Sequence, residues 1–127
     1  MSWLSLLLII KITATLFAAV IPFLFFPKTK LEKLTNTPAK NSTLFRLYGV
    51  AIFALLVGYA FGIDSADSGI FPWGVIWMGT ISNGGAALVL FLNSRNKRDV
   101  FIGFALVFVT LLLIAAMLMP DYALQYV

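Results

Sequence analysis

Four apolar runs, at about 3–26, 44–63, 70–92 and 99–119, account for most of this 127-residue sequence. Each approaches or exceeds the roughly 20 residues that an α-helix needs to cross about 30 Å of hydrocarbon. Inside a bilayer no water is present to bond the backbone, so a run of this kind has to be helical. The composition agrees, with 61% of residues hydrophobic and 11% charged. A soluble domain carries about 25% charged residues, and a chain this short has too little interior to hide so much apolar surface from water. The fold expected is all-α: a polytopic membrane protein with a four-transmembrane-helix antiparallel bundle, forming one membrane domain over 1–127. Short connections favour sequential helices as antiparallel neighbours.

Punctuation marks the ends of the runs. Pro27 closes the first, and Pro22 inside it predicts a kink. Ser42 or Thr43 can cap the second helix, and Asp99 the fourth. Pro72 suits the first turn of the third helix, where its missing N–H costs little. Pro120 stops the fourth.

Charge sets the expected orientation. Lys28, Lys30, Lys33 and Lys40 lie in the first loop with Arg46 just beyond, and Arg95, Lys97 and Arg98 lie in the third. The middle loop holds Asp64 and Asp67, and the C-terminal tail holds Asp121. By the positive-inside rule, the basic loops 27–43 and 93–99 are cytoplasmic and both termini are outside, in a bacterial inner membrane. Trp3, Tyr59, Trp73, Tyr122 and Tyr126 then read as aromatic anchors near the outer surface. The net charge of +4 belongs to these topology signals, so nucleic acid is not an expected partner. The first run lacks a basic segment before it and is too long for a signal peptide, so it is expected to be a membrane anchor.

The chemistry available is narrow. The sequence has no cysteine and no histidine, which removes disulfides, thiolate chemistry, iron–sulfur ligation and the commonest zinc and haem ligand. The five acidic residues show no metal-binding spacing, and no acid–base pair sits at one membrane depth. No cofactor and no enzymatic activity are expected.

The polar residues inside the runs are therefore the candidates for function. Lys11 lies about 5 Å outside the midplane of the first span at ~1.5 Å rise per residue. Its side chain can snorkel outward, because Cβ points toward the N-terminus of a helix. Turned inward, it needs a polar neighbour, an anionic ligand or another subunit, since no Asp or Glu lies at its depth. The third run contains WGVIWMGTISNGGAA, in which Asn83 shares a face with Gly79 and Thr80. That face serves either as helix-packing glue or, with Lys11 and Thr15, as one wall of a polar pathway. Ala54, Gly58 and Gly62 form a small-residue packing face at four-residue spacing, to which Gly79 adds a counterpart on the third helix. Arg46 and Asp99 are positioned to pair at the inner surface.

The segments FLFFPKTKLEKL and LFRLYGVAIFALLVGYAFG combine a Pro-terminated first helix with Arg46-x-x-Gly49 at the start of the second. In this the chain resembles small bacterial DoxX-like four-helix membrane proteins. The resemblance covers about a third of the sequence and implies a four-helix bundle, in some relatives a partner in a membrane complex. The redox associations of some relatives have no support in a chain without Cys or His. Small multidrug exporters carry a glutamate in the first helix where this chain has Lys11, and no filter segment of the fluoride-channel kind follows GTISNGG.

The function expected is a non-enzymatic integral membrane protein, an accessory, assembly or structural subunit of a larger complex. Its partners are the lipid bilayer and either other membrane subunits or further copies of itself. The alternative is a small oligomeric transporter or channel for an anion or polar solute, built on Lys11 and the Thr80/Asn83 face. A lipid- or isoprenoid-binding protein is a third reading, resting on the Pro22 kink and the small-residue grooves, and the ligands open to the chain are a lipid or a small anion.

Overall fold

A computed structural model describes residues 1–93 and 96–127; Ser94 and Arg95, the latter counted above in the third basic loop, lie outside the described residues. The chain is all-α, and among the described residues four helical stretches are long and apolar enough to cross a membrane: Trp3–Phe25, Thr43–Asp67, Trp73–Asn93 and Lys97–Leu118. In chain order the helices are α1 (Trp3–Thr15), α2 (Ile21–Phe25), α3 (Lys28–Thr35), α4 (Thr43–Asp67), α5 (Trp73–Asn93), α6 (Lys97–Leu118) and α7 (Pro120–Ala123). A π-helical turn over Leu16–Val20 joins α1 to α2 within the first span. The chain forms two compact units, Leu6–Ile63 and Met1–Ser5 with Asp64–Val127.

In the unit Leu6–Ile63, proline shapes the first span twice. Pro22 has no N–H to donate to the carbonyl four residues back, and its ring crowds that turn. The helix absorbs the mismatch as the π turn immediately before it, in which the Ile21 N–H bonds Leu16 O. Pro27 then ends the span. It pushes Phe26 into extended geometry at ψ 147°, and the Phe23 carbonyl, whose helical donor would be residue 27, loses that partner. Arg46 on α4 replaces it: one guanidinium nitrogen donates to Phe23 O at 2.8 Å and another to Phe26 O at 2.8 Å. A cation at a helix C-terminus also complements the helix dipole.

One turn further along α4, Gly49 lets the two helices approach. A Cβ there would lie 3.0 Å from Leu24 Cδ2 and 3.0 Å from Phe23 Cβ. The Phe23 ring is enclosed by Tyr48, edge-on at 5.2 Å, and by Phe45, stacked at 6.0 Å. Arg46-x-x-Gly49 thus acts as one device, with the arginine satisfying the end of the first span and the glycine admitting it. Asp99, the partner expected for Arg46 above, belongs to the other unit; within its own unit Arg46 bonds these two carbonyls, because a proline-ended helix presents acceptors that need a donor.

In the unit Met1–Ser5 with Asp64–Val127, α5 and α6 pack against each other along their lengths. A Cβ on Gly84 would contact Thr110, and one on Gly103 would meet the Phe91 ring at 2.7 Å. Seven residues forward on α5 thus match seven back on α6, so the pair is antiparallel. Gly103 is required because the Phe91 ring fills the space its side chain would take; Phe104 packs edge-on against the same ring at 5.2 Å.

Several boundaries differ from those expected. The second span runs on to Asp67, because nothing in Asp64–Asp67 breaks a helix. It ends where Gly69 turns to φ +79°, with Ile70 N bonding Ser65 O and Gly69 N bonding Ala66 O, the paired bonds of a glycine-terminated helix. The third helix starts at Trp73, so Pro72 sits just before it and its carbonyl accepts from Ile76 N. The fourth starts at Lys97, and its cap is Asn96, whose side chain accepts from Asp99 N at 2.9 Å. Asp99 moves inside to the third helical position, where an acid still favours the positive end of the dipole. The first loop also contains α3, a separate helix that no boundary in the hydropathy pattern announced.

Arg46→Lys leaves at least one proline-orphaned carbonyl without its donor, and Gly49→Ala forces Leu24 and Phe23 outward. Each is expected to lower stability by about 1–3 kcal/mol, measured as a shift in the midpoint of unfolding followed by circular dichroism in detergent.

Candidate functional site

Lys11 faces inward within its unit. Its ammonium lies 4.7 Å from the centroid of the Tyr59 ring, on α4, and Tyr59 is buried at 1% exposure. Tyr59 is therefore no outer-surface anchor of the kind expected from its position near the end of the second run. The partner of the lysine is an aromatic face, which attracts a cation through the ring quadrupole without introducing a second charge into the hydrocarbon. An antiparallel fit brings the two together, because the contacts of Phe23 with Phe45 and Tyr48 place Lys11 beside residues near 59. Thr15, one turn on from Lys11, is half-buried.

Thr80 and Asn83 belong to the other unit, and there each bonds its own helix. The Thr80 hydroxyl donates to Ile76 O at 2.8 Å, and the Asn83 amide donates to Gly79 O at 2.7 Å. Asn83 is 4% exposed and lies in a buried stripe with Ile76, Gly79 and Ala87. The stripe follows the three- and four-residue steps of a packed helix face. The residues expected to form one polar pathway are thus found as Lys11 and Thr15 in one unit and Thr80 and Asn83 in the other, each set with its own local bonding. Of the small residues proposed for packing, Gly62 and Gly79 are buried, Gly58 is half-buried and Ala54 is exposed.

A further polar cluster was not anticipated. Ser2 caps α1, its hydroxyl oxygen accepting from Ser5 N at 3.0 Å while the hydroxyl itself donates to Ser5 Oγ at 2.9 Å. Asp67, at the end of α4, accepts from Ser2 N at 3.1 Å and from the Ser5 hydroxyl with the same oxygen. Both serines are fully buried. Tyr126 donates its hydroxyl to Asp67 O at 2.9 Å, Trp3 N bonds Gln125 O at 3.0 Å, and Ser2 and Tyr126 form an antiparallel bridge. A carboxylate at the first turn of α1 also meets the positive end of its dipole. The signal in the sequence is Ser-x-x-Ser at the head of an apolar run, a capping pattern; the acid that completes it is distant in the chain.

Among the described residues, no three His, Cys, Asp or Glu side chains gather as a metal site would require. No family model, curated protein or solved structure matches this chain.

Two outcomes follow from these contacts. In a double-mutant cycle on Lys11→Met and Tyr59→Leu, the coupling energy is expected to be about 1–2 kcal/mol, read from unfolding midpoints; a coupling near zero would show that the ring does not hold the cation. At the other cluster, Asp67→Ala is expected to lower the melting temperature more than Asp67→Asn, which keeps an acceptor oxygen. Amide exchange at Ser2 and Ser5 should accelerate in the same order.

Proposed function

We propose that this is a non-enzymatic integral membrane protein that serves as an accessory, assembly or structural subunit of a larger membrane complex. Its setting in this reading is a bacterial inner membrane, with the basic loops 27–43 and 93–99 cytoplasmic and both termini outside, as the charge distribution favours. The observation that carries the proposal is how the intramembrane polar groups are engaged. Lys11 rests on Tyr59, and Thr80 and Asn83 bond their own helices. Each of these contacts braces the protein's own helices, which is the work of a scaffold.

The outward surface supports the same reading. Phe101, Phe104 and Phe108 form an exposed stripe on α6, and Trp77 in the second turn of α5 is 55% exposed. Spaced at three and four residues, the three phenylalanines line one face of α6, which in this reading is covered by another transmembrane helix.

Extraction from the native membrane in a lipid-preserving polymer is expected to recover stoichiometric companion proteins, and a photocrosslinker at Phe104 to capture one of them. Phe104→Ala with Phe108→Ala should release the companion while the protein itself stays folded. A solitary monomer in every mild extraction would overturn the proposal, and solute flux in liposomes abolished by Lys11→Met would favour the transport reading.

A further inference from the structure

We infer that the open face of α3 is a docking surface for the headgroups of anionic phospholipids. The helix begins at Lys28, directly after the Phe26–Pro27 exit from the first span, so it starts where hydrocarbon gives way to headgroups. Leu31 is fully buried and fixes one side of the helix inward. At 100° per residue, Leu34, Lys30 and Lys33 then share one arc of the helix, about 60°, 100° and 160° around from Leu31, and all three are exposed.

The surface combines cations with apolar groups. The Lys30 ammonium sits 4.9 Å over the Phe26 ring, so its stem runs along the apolar end of the span while its charge stands at the edge. Leu34 is 40% exposed beside it, and Phe25, the last residue of the span, is 73% exposed. The segment 28–40 holds four lysines and one acid, Glu32, which lies 3.4 Å from Lys28, so its net charge is +3. Phosphate and acyl chain on one molecule complement that pattern: the phosphate meets the lysines, and the chain covers Phe25 and Leu34. A soluble acidic partner would satisfy only the lysines.

The face is also held in place. Asn36 ends α3 in the left-handed region at φ 52°, its N–H bonding Glu32 O, and the Thr35 hydroxyl donates to Leu31 O at 2.8 Å. The lysines are thus presented from a defined helix.

The test uses the full chain in mild detergent at low ionic strength. Phosphatidylglycerol and phosphatidylcholine of identical acyl chains are titrated in, and bound lipids are counted by native mass spectrometry. The wild type is expected to prefer phosphatidylglycerol, and Lys30→Gln with Lys33→Gln to reduce that preference by about fivefold for each lysine removed. Lys30→Arg with Lys33→Arg should keep it, as should Lys97→Gln with Arg98→Gln in the other basic loop. An unchanged preference in the glutamine pair would overturn the inference. So would equal loss in the arginine pair, loss in the Lys97/Arg98 pair, or displacement of the lipid by inorganic phosphate at equal concentration, which would mark a site for soluble anions.

Discussion

Hydrocarbon offers a backbone no hydrogen-bond partner, and the structure is organised around meeting that requirement wherever a helix is interrupted. Pro22 removes a donor inside the first span, and the chain answers with a π turn. Pro27 removes the donor owed to Phe23, and Arg46 supplies it from the neighbouring helix. Gly69 closes the second span by folding two N–H groups back onto its last turn. At the head of the first span, Ser2 caps from within while Asp67 bonds it from across the unit. Since the partners of Phe23 and Ser2 lie on α4, satisfying the ends of the first span also fixes what packs beside it.

The same economy applies to side chains. A lysine, a threonine and an asparagine within apolar spans invite a reading as a pathway, yet each has a contact that stabilises a helix or joins two. Lys11 is the most informative case. A carboxylate would neutralise it at the cost of burying a second charge, whereas the Tyr59 ring attracts it and remains apolar. A cation held in this way braces α1 against α4.

Much of this was legible from residue order. The four spans follow from the length of the apolar runs, and Arg46 and Gly49 stood out as a spaced pair next to a proline-ended helix. The helix α3 was not legible, because eight residues with four charges leave no hydropathy signal and Leu31 is its one buried apolar anchor. The cap of the fourth helix was misplaced by three residues, since Asn96 and Asp99 are both good capping residues and only the position where the helix starts separates them.

By itself, the sequence determined that the protein is all-α with four spans long and apolar enough for a bilayer, because run length and backbone desolvation are local properties. Tertiary structure decided which groups meet. Tyr59 resembles an interfacial anchor until an antiparallel neighbour brings Lys11 over its ring, and Asp67 resembles a loop acid until α4 carries it to the capping turn of α1. These pairings depend on helix register, which no single run encodes: one residue turns a helix by about 100° and exchanges a buried partner for an exposed one.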